Sequence, residues 1–223
     1  MILKRFNNKI DLEKDMVQRI HLILKSAIQK YGNANILLSG GTTPKFLYEA
    51  LAELPLDWTQ IQVGLVDERF VEKGSDFSNA SLIEGCFLKA AGFKLLPMVN
   101  NIENLDENLK QVNLDYQPFL KRIDYCLLGM GEDGHTASLF PGDQASEKSL
   151  NGMAVNVLQT IAPAEPKIRI SCSKEMLRNA QFIDLLIVGR KKLNIFQSSS
   201  ENHLPIAALM NESTDGVTYF AEN

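Results

Sequence analysis

Leu127-Leu128-Gly129-Met130-Gly131-Glu132-Asp133-Gly134-His135-Thr136-Ala137-Ser138-Leu139-Phe140-Pro141-Gly142 is the most informative segment of the chain. An apolar run from Tyr125 to Leu128 empties into glycines, two acids and a histidine, and an apolar turn then stops at Pro-Gly. A short continuous apolar run is the signature of a strand buried on both faces. Glycine tolerates backbone conformations and close approaches that other residues resist, so a loop of this kind tends to sit against a ligand. Histidine has an unperturbed pKa suited to proton transfer near neutral pH, which makes His135 the general-base candidate of the chain.

Gly129, Gly131 and Gly134 also match G-x-G-x-x-G, the pattern of a dinucleotide-binding turn. That reading requires a full helix after the glycines, a second strand, and an acid about twenty residues on for the ribose. Pro141-Gly142 interrupts after one or two turns, and the polar segment from Asp143 to Gly152 leads to no such strand. No nucleotide or other cofactor is therefore expected.

Outward from this loop, strands and helices alternate. Met16, Ile20, Ile23, Leu24, Ala27 and Ile28 give a helix from Leu12 to Tyr31, with Gly32 as its stop. Ile36-Leu37-Leu38 reads as a buried strand. Ser39-Gly40-Gly41-Thr42-Thr43-Pro44 follows, with Thr43 expected to cap a helix whose apolar face is Phe46, Leu47, Ala50, Leu51 and Leu54. Ile61 to Val66 is a second strand, ending in Asp67-Glu68-Arg69. A helix near 79–89, a strand near 95–99, a helix near 103–122 and a strand at 124–129 come next. Further strands are expected at 154–158, 168–172, 182–188 and 217–220, with helices near 173–180 and 191–197 between them. This alternation predicts an α/β fold, a Rossmann-like, mostly parallel sheet flanked by helices, in a single domain over residues 1–223.

Four chemically unusual loops then fall at one edge. Ser39-Gly40-Gly41, Asp67-Glu68-Arg69, Gly129 to His135 and Gly189 to Lys192 all follow the C-terminal ends of apolar strands, where open α/β sheets bind ligands. Gly40, Gly41, Thr42 and Thr43 can cradle a phosphate on free N–H groups at a helix start, or form an ordinary capped turn. Asp67 and Arg69 can offer a carboxylate and a guanidinium to a substrate, or make a local ion pair in a solvated turn. Arg169, inside an apolar strand, and Lys192, in the first turn of a helix, are cations able to hold a phosphate. Lys192 can equally be a surface lysine, although a cation at a helix N-terminus is disfavoured without an anion nearby. His21, among apolar helix neighbours, and His203, in a polar loop, read as structural or surface residues.

Composition bounds the rest. The 223 residues are 45% hydrophobic, enough for a substantial core, and Lys+Arg 23 against Asp+Glu 27 leaves a net charge of −4 without long charge blocks. No nucleic-acid or membrane partner is expected from that balance. Cys86, Cys126 and Cys172 are odd in number, far apart and set in apolar segments, which reads as reduced core thiols. With no HExxH, paired histidines or Cys/His cluster, no metal is expected, and the absence of G-x-S-x-G argues against a serine hydrolase. The N-terminus lacks the pattern of a secretory signal, so a cytoplasmic location is expected.

Together these residues resemble the 6-phosphogluconolactonases of the glucosamine-6-phosphate isomerase/6-phosphogluconolactonase family. The match runs through Ser39 to Pro44, Val66-Asp67-Glu68-Arg69 with Ser78-Asn79, Leu128 to Gly142, Arg169-Ile170-Ser171 and Gly189-Arg190-Lys191-Lys192, from the first loop to the last lysine. The resemblance implies the fold shared with glucosamine-6-phosphate deaminase and ribose-5-phosphate isomerase, and hydrolysis of 6-phospho-D-glucono-1,5-lactone in the pentose phosphate pathway by a monomer or small homo-oligomer. It implies His135 as general base, with N–H donors of its glycine loop at the tetrahedral intermediate, and Asp67 orienting the histidine or the sugar hydroxyls. Ser39, Gly40, Gly41, Thr42, Thr43, Arg69, Gly131, Asp133, Gly134, Arg169 and Lys192 would contact the substrate. The related deaminases are the alternative, along with a non-catalytic sugar-phosphate sensor. The deaminase pattern after the histidine is Ile-Ala-Phe-Asn-Glu-Pro, whereas Thr136-Ala137-Ser138-Leu139-Phe140-Pro141 here carries no acid.

Overall fold

The computed structural model describes residues 2–154, 156–211 and 215–222. Its strands are β1 (Ile2–Phe6), β2 (Ala34–Leu38), β3 (Ile61–Leu65), β4 (Asp67–Arg69), β5 (Leu95–Leu96), β6 (Ile123–Leu128), β7 (Val157–Ile161), β8 (Ile168–Cys172), β9 (Ala180–Val188) and β10 (Val217–Ala221). Seven of them pair in parallel in the order β1-β10-β9-β6-β2-β3-β5. Both β2 and β6 are buried along their whole length, as the apolar runs require of strands covered on both faces. The expected α/β architecture is borne out.

Helices cover the sheet. In α1 (Lys9–Tyr31), Leu12, Met16, Ile20, Ile23, Leu24 and Ala27 are buried on one face. The Asn8 side chain accepts from the Asp11 N–H at its start, and Gly32, at φ 76°, ends it by donating to the Ile28 carbonyl. Arg19 on this helix pairs with the fully buried Asp184 of β9 at 3.0 Å, pinning helix to sheet.

The pairing of β2 with β6 matters most. From β2 the chain moves outward to β3, while from β6 it crosses in the other direction to β9. The loops after β2 and β6 therefore open away from each other at a topological switch point, where α/β sheets leave a crevice. Ser39 ties the two loops at their root: its Oγ donates to the Leu127 carbonyl at 2.8 Å and accepts from the Gly129 N–H at 3.2 Å. The buried Tyr48 hydroxyl in turn donates to the Ser39 carbonyl at 2.5 Å.

Several local expectations are corrected. Asp67-Glu68-Arg69 is a strand, β4, in a second, antiparallel sheet of order β4-β8-β7. Thr43 caps nothing: Pro44 stands at the cap of α2 (Lys45–Ala52), where its ring offers no acceptor for a side-chain bond. Phe46 points outward, 63% exposed, and Leu47, Tyr48, Leu51 and Ala52 form the buried face. The helix expected over 103–122 is two, α4 (Leu105–Asp115) and α5 (Gln117–Lys121), with Pro118 opening the second. Between them the Tyr116 hydroxyl accepts from the Leu65 N–H and donates to the Leu96 carbonyl. Only Leu95–Leu96 pairs in the strand expected over 95–99, and the strand expected at 154–158 lies at Val157–Ile161, position 155 falling outside the described residues. The polar segment after Gly142 holds α6 (Gln144–Leu150), capped by the Asp143 carboxylate. The sequence pattern also leaves β1 and α9 (Pro205–Met210) unannounced.

Candidate functional site

A cavity of about 250 Å³ opens at the switch point. Ser39, Gly40, Gly41 and Thr43 wall it after β2, and Gly131 and His135 after β6. Asp67, Arg69 and Arg169 come from the small sheet, and Lys192 from the first turn of α8 (Arg190–Gln197). All four loops singled out in the sequence thus meet on one cavity. Thr42, Asp133 and Gly134 do not line it.

The histidine loop is folded on itself. The Gly131 N–H donates to the His135 carbonyl at 2.9 Å, the Gly134 N–H to the Gly131 carbonyl at 3.1 Å, and the Gly129 N–H to Ser39 Oγ. These three glycine N–H groups are engaged within the protein, whereas the Met130 N–H, on the cavity wall, donates to no other group among the described residues. Gly131 is needed for space, since a Cβ there would collide with the His135 ring. Gly134, at φ 78°, is needed for conformation as well as space, since a Cβ there would run into Leu204. Its carbonyl accepts from the Ile206 N–H at 3.2 Å, which ties the loop to α9. No helix follows His135; Thr136 and Leu139 instead close a tight turn through an isolated bridge.

His135 Nδ1 lies 2.5 Å from Asp133 Oδ1, and the ring packs on Phe140 with centroids 4.6 Å apart. The hydrogen bond from His135 holds the Asp133 carboxyl below its ordinary range, against the opposing effect of burial. An ionised carboxylate only accepts, so Nδ1 is the donor of this pair, and in the neutral tautomer that fits it the lone pair is on Nε2. Asp67 plays no such part: its Oδ2 accepts from the buried Ser138 hydroxyl at 2.5 Å. The carboxylate that orients the histidine is Asp133, a near neighbour in sequence.

Glu68 turns away from the cavity. It accepts from the N–H groups of Arg69, Asn79 and Ala80 and from the Ser78 hydroxyl, fixing β4 to the start of α3 (Asn79–Cys86). Burial pushes its pKa up, partly offset by those N–H groups. Asn79, which also lines the cavity, donates through Nδ2 to the Asp67 carbonyl at 2.9 Å. It leaves no room for a side chain at Gly40.

The cations are crowded. Arg69 and Arg169 stand opposite each other in the β4–β8 register. Burial and then the Arg69 guanidinium hold the Arg169 pKa below its usual value. Arg169 Nε donates to the Pro166 carbonyl, and its guanidinium lies 5.7 Å from the Phe140 ring centroid. Arg69 donates to the Phe77 carbonyl, while its buried Nε has no partner among the described residues. In α8, Arg190 pairs with Glu222 and Lys191 with Glu132, whereas Lys192 forms no salt bridge among the described residues and reaches the cavity. Like charges opposite one another in a sheet are unfavourable, and they become favourable when an anion sits between them. Among the described residues, no N–H of residues 40–43 donates to another protein group, so this turn adds free donors to the same cavity.

Phe140, Ser138, Asn79 and Tyr48 are participants to which the sequence assigns no individual role. Phe140 and Ser138 belong to the motif already quoted, and nothing in their residue type distinguishes contact from packing.

An α/β sheet with an oriented histidine and a cluster of cations at its switch point defines a site that can hold an anion beside a proton-transfer group. The chain belongs to the family of glucosamine-6-phosphate isomerases and 6-phosphogluconolactonases, whose model matches residues 7–219. A 6-phosphogluconolactonase of Pseudomonas putida is 35% identical over 92% of this chain and 85% of its own length. Another, of Helicobacter pylori strain J99, is 31% identical over 99% and 98%. The crystal structure of a 6-phosphogluconolactonase from Shewanella baltica superposes with a TM-score of 0.90 at 28% identity, covering 99% of this chain and 97% of that one.

Proposed function

We propose that this protein is an enzyme that hydrolyses 6-phospho-D-glucono-1,5-lactone to 6-phospho-D-gluconate, with His135 as general base and then general acid. The observation that carries the reading is the His135–Asp133 pair, which turns Nδ1 to the carboxylate beside a cation-lined cavity and so leaves Nε2 as the nitrogen for proton transfer. The family membership and the names of the relatives support the substrate class.

In the first step, Nε2 removes a proton from water as the water oxygen attacks C1 of the lactone. Asp133 stabilises the resulting imidazolium, and charge develops on the former carbonyl oxygen. Collapse of the tetrahedral intermediate breaks the bond from C1 to the ring oxygen, which takes the proton back from Nε2. Arg169, Lys192 and the free N–H groups of Gly40 to Thr43 grip the phosphate, and Arg69 supplies positive charge to the same cavity. Such remote binding energy orients the reacting carbonyl. With the histidine served by Asp133, the Asp67 carboxylate is left to accept from sugar hydroxyls. The deaminase alternative lacks support in the 136–141 segment, which contains no acid after the histidine.

His135→Ala tests this directly. Its kcat on freshly generated lactone, with spontaneous hydrolysis subtracted, is expected to fall about 10²–10⁴-fold, the usual scale of general acid–base catalysis. Turnover near that of the wild type would remove His135 from the mechanism.

A further inference from the structure

Ser138 is fully buried and outside the cavity wall, yet each of its polar groups is engaged. Its hydroxyl donates to Asp67 Oδ2 at 2.5 Å, its N–H donates to Ser171 Oγ at 3.1 Å, and its carbonyl accepts from Thr160 Oγ1 at 2.6 Å. Ser171 is the register partner of Asp67 across β4 and β8, so the turn is bolted to the small sheet at the point where Asp67 emerges. The residue before it, Ala137, lies on the cavity wall at φ 51°, a left-handed conformation that a side-chain-bearing residue adopts only when its surroundings impose it. The four-residue turn Thr136–Leu139 therefore follows His135 directly and carries the partner of Asp67 within it. The other carboxylate oxygen, Oδ1, has no hydrogen-bond partner among the described residues, and Asp67 lines the cavity.

We infer that Ser138 is a positioning residue for substrate recognition: it fixes the Asp67 carboxylate so that Oδ1 faces the hydroxyls of the sugar lactone, and it ties that recognition to the turn bearing His135. The inference rests on the lactonase reading above. A carboxylate held at one oxygen keeps a single orientation, and its free oxygen meets adjacent hydroxyls without first losing rotamer freedom. A hydroxyl donor to a charged acceptor is among the stronger single hydrogen bonds in a protein interior.

The test is a double-mutant cycle on 6-phosphogluconolactone, reading KM and kcat separately, with Ser138→Ala, Asp67→Asn, the pair together, and Thr160→Ala as control. Ser138→Ala is expected to raise KM about tenfold, the scale of one charged hydrogen bond, with kcat changed by less than about threefold. On the Asp67→Asn background the same change should alter KM less than about twofold, because the carboxylate it orients is already gone. Thr160→Ala loosens the same turn without touching Asp67 and should leave KM within about twofold of the wild type. Should Ser138→Ala not fold, Ser138→Cys fills the site with a weaker donor and is expected to raise KM by a smaller factor. An unchanged KM in the folded variant, an equal increase on the Asp67→Asn background, or an equal increase in Thr160→Ala would overturn the inference while leaving the lactonase reading intact. A wild-type protein that does not accelerate lactone hydrolysis overturns both.

Discussion

The seven-stranded and three-stranded sheets wall the same cavity with opposite kinds of sequence. The large sheet is built of apolar strands such as Ala34–Leu38 and Ile123–Leu128, and its chemistry sits in the loops beyond them. The small sheet carries its chemistry within the strands, where Asp67, Arg69 and Arg169 alternate with buried partners. A strand covered on both faces holds a charge only where it is paired inside the protein, as Asp184 is with Arg19 and Asp124 with Arg122, so groups free to meet a ligand are displaced to the C-terminal loop. A short antiparallel strand with one face on the cavity can present a charge at every second residue. On the proposed reading, proton transfer belongs to the large sheet, and the small sheet adds Asp67, Arg69 and Arg169 to a substrate grip it shares with Lys192 and the 40–43 turn.

That contrast can be broken by separating kcat from KM. Arg169→Ala on the small sheet should raise KM about 10–100-fold, the cost of losing hydrogen bonds from a charged donor, while kcat changes far less. A fall confined to kcat would place Arg169 in the chemistry and dissolve the division.

A smaller effect is expected where the small sheet is anchored to α3. Glu68→Gln replaces one of two acceptor oxygens by an amide donor, set against the N–H groups of Arg69, Asn79 and Ala80. Stability by urea titration should drop by about 1–3 kcal/mol, the usual penalty for an unsatisfied buried polar group. An unchanged midpoint would mean that β4 does not depend on this carboxylate.

The smallest expected effect sharpens the comparison within the histidine loop. The Asp133 carboxyl titrates below its ordinary 3.8 in the folded chain because of its bond to His135. A carboxylate with a depressed folded pKa contributes stability above its unfolded pKa and loses that contribution as pH falls through the folded value. The stability gap between wild type and Asp133→Asn should therefore be constant at neutral pH and close below about pH 4. A gap that persists into strong acid would assign the bond to packing rather than charge.

Much of this molecule is legible in its sequence because the large sheet writes itself in apolar runs and glycine stops. His135, Lys192 and the Gly40–Gly41 turn are placed by what precedes them: each follows a strand that could only be buried. The small sheet is harder to read. Asp67-Glu68-Arg69 has the composition of a turn, and only pairing with Ile168–Cys172, about a hundred residues on, makes it a strand. Glu68 resembles its neighbours as a candidate ligand, yet its hydrogen bonds point it into the protein. The identity of the histidine's partner is also hidden, since two acids are available and the choice between Asp67 and Asp133 depends on how the loop closes. The split at Tyr116 and the outward turn of Phe46 likewise follow from tertiary packing, which local periodicity does not contain.

The central claim is tested most directly by proton release from freshly generated 6-phosphogluconolactone with and without the protein, run beside ammonia release from glucosamine-6-phosphate. Acceleration of the first reaction above its spontaneous rate, with no ammonia from the second, is the expected result; ammonia release without lactone hydrolysis would contradict it.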